Sequence, residues 1–215
     1  MVSWRVLFGL FVLFFVLLGC FFVFSGFFVR EPRVLVVLPS VFSERVFNES
    51  VSVFVEEGLA YDVGGFDVGV YSLSVTPNRP LGYSVVVNRS FGLVDVGDYS
   101  AFLVVPGEGA DPRSLCRDGR SGVLFDLLRR ADERGRVLAS VDYSVVVLAN
   151  AGVLEGRRAA YSNFLLEKAD IINGGGVPVS SAVVVDGNVV TCNSTLYARE
   201  VAQEIVRQVR AKEAN

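Results

Sequence analysis

Residues Val6 to Val29 make up 24 consecutive positions without a charge. Coiled as a helix, such a run reaches about 36 Å at roughly 1.5 Å per residue, enough to cross the roughly 30 Å hydrocarbon core of a bilayer. A buried helix of a soluble domain rarely runs this long without a polar face. Arg5 precedes the run, and Arg30, Glu31, Pro32 and Arg33 close it. The expectation is a short flank over residues 1–5, one transmembrane helix over 6–29 and one folded domain over 30–215.

A cleaved secretory signal is the competing reading. Its apolar region is usually shorter and ends at small residues. Leu17-Leu18-Gly19-Cys20 is like a bacterial lipobox, but Phe21, Phe22, Val23 and Phe24 follow, where a lipoprotein turns polar. The flanking charges give no orientation, because Arg5 and the amino terminus oppose Arg30 and Arg33. Three N-x-[ST] sequons, at Asn48, Asn88 and Asn193, favour an extracytoplasmic domain glycosylated at those asparagines. In that oxidising setting Cys116 and Cys192 are expected to pair; otherwise they are two buried small apolar side chains.

Composition then excludes whole classes of chemistry. The chain has no histidine, so neither a Ser-His-Asp nor a Cys-His triad fits within it. Its three cysteines are too few for an all-cysteine zinc site, and no metal or cofactor is expected. A net charge of −3 argues against the concentrated basic face that nucleic-acid binding needs. The expected partner is the membrane, through residues 6–29.

Beyond the apolar run, strands and helices alternate. Arg33 to Pro39 and Ala101 to Val105 are continuous apolar runs, as in strands buried on both faces of a parallel sheet. Ser43 is placed to cap a helix through Glu57, with Gly58 as its stop. Phe66 to Leu73 and Tyr83 to Asn88 read as strands, the latter in a hairpin. Gly122 to Arg134 carries an apolar helical face. Val137 to Val141 is a strand that runs through Asp142-Tyr143-Ser144 into Val145 to Ala151, read as a buried helix held by packing rather than propensity. Asp186-Gly187-Asn188 marks a tight hairpin within Val183 to Val190. Leu196 to Ala211 is a closing amphipathic helix. This order predicts an α/β three-layer sandwich with a mostly parallel sheet.

Five segments together resemble the DJ-1/PfpI family, whose fold is flavodoxin-like and related to class I glutamine amidotransferases. They are Val34 to Gly58; Asp98 to Gly107, similar to the family's "YDALVLPGG"; Asp132 to Ser140; Leu148 to Ala159; and Val183 to Thr191. The resemblance covers most of residues 33–210.

Family enzymes carry a cysteine on the strand-to-helix elbow, in a pattern like "A-I-C-H-G". Strand matched to strand, that cysteine falls on Asp142, the next residue on Tyr143 and the glycine on Ser144. The family's acidic partner falls on Ser43 or Glu44. The glycine loop falls on Gly107 and Glu108, and the "SRG" segment on Cys192-Asn193-Ser194. The resemblance therefore implies a pocket lined by Ser43, Glu44, Gly107, Glu108, Asp142, Tyr143, Ser144 and Asn193, without the family nucleophile. A carboxylate is a far weaker nucleophile than a thiolate, and Glu108 opposes a developing oxyanion. Carboxyls brought together by Glu44, Glu108 and Asp142 would raise at least one pKa.

Three roles for Asp142 stay open at this point. It is an inert replacement that tolerates an unusual backbone, a site with Glu44 and Glu108 for a cation or basic ligand, or a catalytic carboxylate. The expected function is a non-catalytic binding or interaction module at the membrane surface. The alternative is a divergent hydrolase or lyase acting on a peptide, amide or reactive carbonyl. Relatives commonly form dimers or hexamers, so the resemblance also implies a homo-oligomer.

Overall fold

A computed structural model describes residues 31–72, 84–107, 113–162 and 165–214. The transmembrane helix expected over 6–29 lies outside them, as does Glu108. Among the described residues no helix is long and apolar enough to cross a membrane.

The central strand, β1 (Arg33–Val37), shows why an unbroken apolar run was needed. Val34 and Val36 enter one core, Leu35 and Val37 the other, and all four are fully buried. Around it lie β2 (Ala60–Gly65), β3 (Gly69–Ser72), β4 (Ser84–Val87), β5 (Arg89–Ser90), β6 (Ala101–Val104), β7 (Val137–Val141), β8 (Arg158–Ala160), β9 (Val177–Val179), β10 (Val183–Asp186) and β11 (Val189–Cys192). Among the described residues these form a seven-stranded sheet of order β10-β11-β7-β6-β1-β2-β5, parallel except for β10 at one edge. The remaining strands make two small pairs, β3 with β4 and β8 with β9.

The helices are α1 (Glu44–Glu56), α2 (Ser114–Arg117), α3 (Ser121–Glu133), α4 (Val145–Asn150), α5 (Leu165–Asn173) and α6 (Ala198–Glu213). α1 and α6 pack together over one face, with Phe54, Val201 and Ile205 in the core. α3 and α4 cover the other through Leu124, Leu128 and Leu148. This is the α/β sandwich with a mostly parallel sheet. The valine-rich segment is the helix α4, with Val145 to Leu148 buried by neighbours that offset its poor propensity. The hairpin turn sits at Gly187, whose φ of 59° suits glycine.

Two local expectations need correction. The strand expected over Phe66 to Leu73 is the shorter β3, Gly69–Ser72, and a further strand that was not expected, β2, precedes it. Gly64 is required there, because a Cβ would meet Phe91 Cε1 at 3.0 Å and Leu35 Cδ1 at 3.1 Å. Ser43 stands at the N-cap of α1, yet its side chain makes no cap bond; its N–H donates to Pro106 O at 3.0 Å.

Candidate functional site

The chain passes from β1 to β2 on one side, whereas β6 lies on the other. Connections leaving neighbouring carboxyl ends in opposite directions open a crevice at such a switch point. The carboxyl ends of β1, β6 and β7 stand side by side there.

Asp142 leaves β7 at this edge with φ of 52°, the only positive φ at a non-glycine residue among the described residues. A left-handed backbone is uphill for any residue with a Cβ, and Asp and Asn bear it best. The turn is held by Ser144. Its Oγ accepts from the Val141 N–H at 3.0 Å and lies 2.8 Å from the carbonyl oxygens of Val104 and Val141, which share its single proton. Ser144 is 2% exposed and staples β7 to β6, so it is a structural residue of the elbow rather than a lining residue.

The half-buried Asp142 carboxyl is pushed above its ordinary range by burial, and the Tyr143 N–H pulls it part of the way back. Behind the elbow lies the Cys192 thiol, whose pKa the backbone N–H of Asp142 pulls down. Burial drives that thiol up to about 11, and Sγ donates to Ser194 O at 3.3 Å. A group so protonated near neutrality is no nucleophile.

The second carboxyl of the site is Glu167 on α5. Its side chain is fully buried, and burial pushes its pKa up to about 7. The Ser162 N–H, at 2.8 Å, and the Ser162 hydroxyl both donate to Oε2 and oppose that rise. The charges of Asp142 and Asp170 add to it. Oε1 is enclosed and has no hydrogen-bond partner. Arg113, just before α2, donates to the Tyr143 hydroxyl at 3.0 Å, pairs with Asp170 and sits 5.6 Å from the Tyr143 ring centre.

Glu44 opens α1, and the charge of Asp142 bears on Glu167. Gly107 and Phe42 form an isolated antiparallel bridge that ties the glycine loop to the start of α1. Asn193 follows β11 and donates its N–H to Ala182 O at 3.0 Å. Cys116 and Cys192 form no disulfide. Cys192 belongs to one core and Cys116 packs against the other, with the sheet between them. Of the sequons, Asn48 lies within α1. The Asn88 amide is occupied: Nδ2 donates to Asp62 Oδ1 and Oδ1 accepts from the Val63 N–H, both at 2.9 Å. A glycan would attach at the same Nδ2 that donates to Asp62. Among the described residues no three His, Cys, Asp or Glu side chains stand close enough to hold a metal ion.

Comparison with known proteins matches residues 32–208 to the DJ-1/PfpI family. An uncharacterized protein of Methanocaldococcus jannaschii is 28% identical over 184 residues, covering 84% of this chain and 83% of its own. Deglycase PfpI of Pyrococcus furiosus is 32% identical over 145 residues, covering 66% of this chain and 80% of its own. The crystal structure of Drosophila melanogaster DJ-1beta aligns with a TM-score of 0.68 at 24% identity, over 85% of this chain and 92% of that one. A ThiJ/PfpI domain protein from Brachyspira murdochii aligns at 0.72 with 21% identity, over 83% and 96%. These two structures support the flavodoxin-like fold.

Proposed function

Because the chain belongs to the DJ-1/PfpI family, we propose that it uses the family's elbow pocket to bind a small molecule through carboxyl groups, with Asp142 standing where relatives carry their cysteine. The observation behind this reading is the left-handed backbone at Asp142. A turn with no remaining task would be free to relax, and a strained residue at a crevice is a reason to look for function there. The chemistry argues against thiol catalysis. There is no histidine to act as base, and the thiol beside the elbow, Cys192, is held protonated.

A second reading is hydrolysis through Asp142. It is favoured by the relative named a deglycase and by a carboxyl whose raised pKa suits acid–base work. One experiment separates the two. The full-length chain and its Asp142→Ala and Asp142→Cys variants are screened for binding and turnover of peptide, amide and glyoxal-type compounds. Asp142-dependent binding without turnover supports the binding module. Turnover by the unsubstituted chain that is lost in Asp142→Ala overturns it in favour of the hydrolase.

The apolar run over residues 6–29 is proposed as the membrane anchor, with the domain extracytoplasmic. Retention in the membrane fraction after alkaline extraction, lost on deletion of 6–29, is the expected result. Self-association is proposed from the family membership, and sedimentation of the intact chain as a monomer at high concentration would count against it.

A further inference from the structure

We propose that the elbow pocket takes a protonated amine, held between Asp142 on the turn and Glu167 on α5. This rests on the elbow pocket being a binding site and names the chemistry of its ligand.

The first ground is charge. Two carboxyls stand near enough for the charge of one to bear on the other. Among the described residues neither has an arginine or lysine partner. The nearby cations are engaged elsewhere: Arg113 by Asp170 and Tyr143, and Lys168 over the Tyr161 ring at 5.8 Å. Enclosing like charges without a counter-charge is unfavourable: either a carboxyl takes up a proton, the direction in which Glu167 is already pushed, or a cationic ligand supplies the missing charge.

The second ground is the unpartnered Oε1 of the fully buried Glu167. A buried carboxyl oxygen without a donor costs free energy, and Ser162 supplies donors to Oε2 alone. An alkylammonium brings three N–H donors and a positive charge, so one group answers both deficits.

The third ground is the orientation of α5. Glu167 and Ile171 face inward while Leu166 and Ile172 are 66% and 54% exposed. Its C-terminal end is fixed against α4 at Gly174, where a Cβ would meet Ala149 O at 2.7 Å. A helix that buries a glutamate and exposes a leucine has been set against the usual hydrophobic order. The gain must come from what Glu167 meets.

The test is ligand-observed NMR at pH 8 with the full-length chain and n-butylammonium, with butyrate and 1-butanol as length-matched probes. The expected result is that butylammonium binds and the other two do not. Glu167→Gln and Asp142→Asn should each weaken that binding by about tenfold or more, and Glu167→Asp, which keeps the charge, should retain part of it. Circular dichroism checks each fold; if Glu167→Gln does not fold, Asp142→Asn and Glu167→Asp decide the matter. Amine binding unchanged in the carboxamide variants, or equal binding of 1-butanol, overturns the inference. Asp142-dependent binding of carbonyl or amide compounds without amine binding sinks the inference and leaves the pocket reading standing. If no compound of either set binds, both fall.

Discussion

Asp62 and Glu167 are buried to nearly the same degree, 4% and 0% exposed, yet their chemistry diverges. Asp62 Oδ2 accepts from Arg33 at 3.0 Å and from the Tyr99 hydroxyl at 2.9 Å, and Oδ1 accepts from Asn88. Arg89 approaches to 3.3 Å. Burial pushes this carboxyl up, but the bonds from Tyr99, Asn88 and Arg33 outweigh it and hold it below the ordinary range. Tyr99 is driven to about 12 by its own burial. Glu167 has donors on one oxygen only and acidic neighbours, so burial prevails and its pKa rises. Enclosure alone does not set a carboxyl's charge; its partners do. Asp62 has donors on both carboxyl oxygens, whereas Glu167 Oε1 has none.

Substitution of each residue sharpens that contrast. Asp62→Ala should have the largest effect, a loss of about 3 kcal/mol in urea denaturation at pH 7, because Tyr99, Asn88 and two arginines lose a shared acceptor. A loss below about 1 kcal/mol would break the comparison. The contribution of Asp62 is present above its ordinary pKa of 3.8 and fades as pH falls through its lower folded value.

Glu167 has the opposite sign. Its ordinary value of 4.5 becomes about 7 in the fold. The unfolded chain therefore releases this proton first, and stability falls as pH rises between those values, then stays reduced. Glu167→Gln should add on the order of 2 kcal/mol at pH 8 and nothing at pH 4. Equal denaturation midpoints at pH 8 would show that Glu167 is already satisfied. Ser162→Ala removes a donor to Oε2 and should lower stability by about 1 kcal/mol. It should also raise the Glu167 midpoint further in a carbon-detected NMR titration. Asp142→Gly should have the smallest effect, a gain of roughly 0.5 kcal/mol and a melting temperature higher by about 1–2 °C, from release of the left-handed backbone. A lower melting temperature would show that the elbow is not strained.

The legibility of the chain follows the same divide. β1, β6 and β7 were readable because strands buried on both faces need unbroken runs such as Val34–Val37. The elbow at Asp142 was readable from its place between Val141 and Val145. β2 was hidden because Asp62 looks like a loop residue until Arg33, Asn88, Arg89 and Tyr99 surround it. Glu167 was hidden for a deeper reason. In Leu165–Asn173 the apolar residues Leu166 and Ile172 face out, so periodicity assigns Glu167 to solvent. Only the fold, by bringing Ser162 and Asp142 to it, reveals the inward face. The disulfide failed for a related cause: spacing along the chain cannot tell which side of a sheet a cysteine occupies.

The thiol of Cys192 carries one practical consequence. It is enclosed and protonated at neutral pH. Electrophilic probes that tag a reactive cysteine at a strand–helix elbow would pass over this chain in its native state. A survey of this fold that looks for a labelled elbow thiol would therefore not register Cys192.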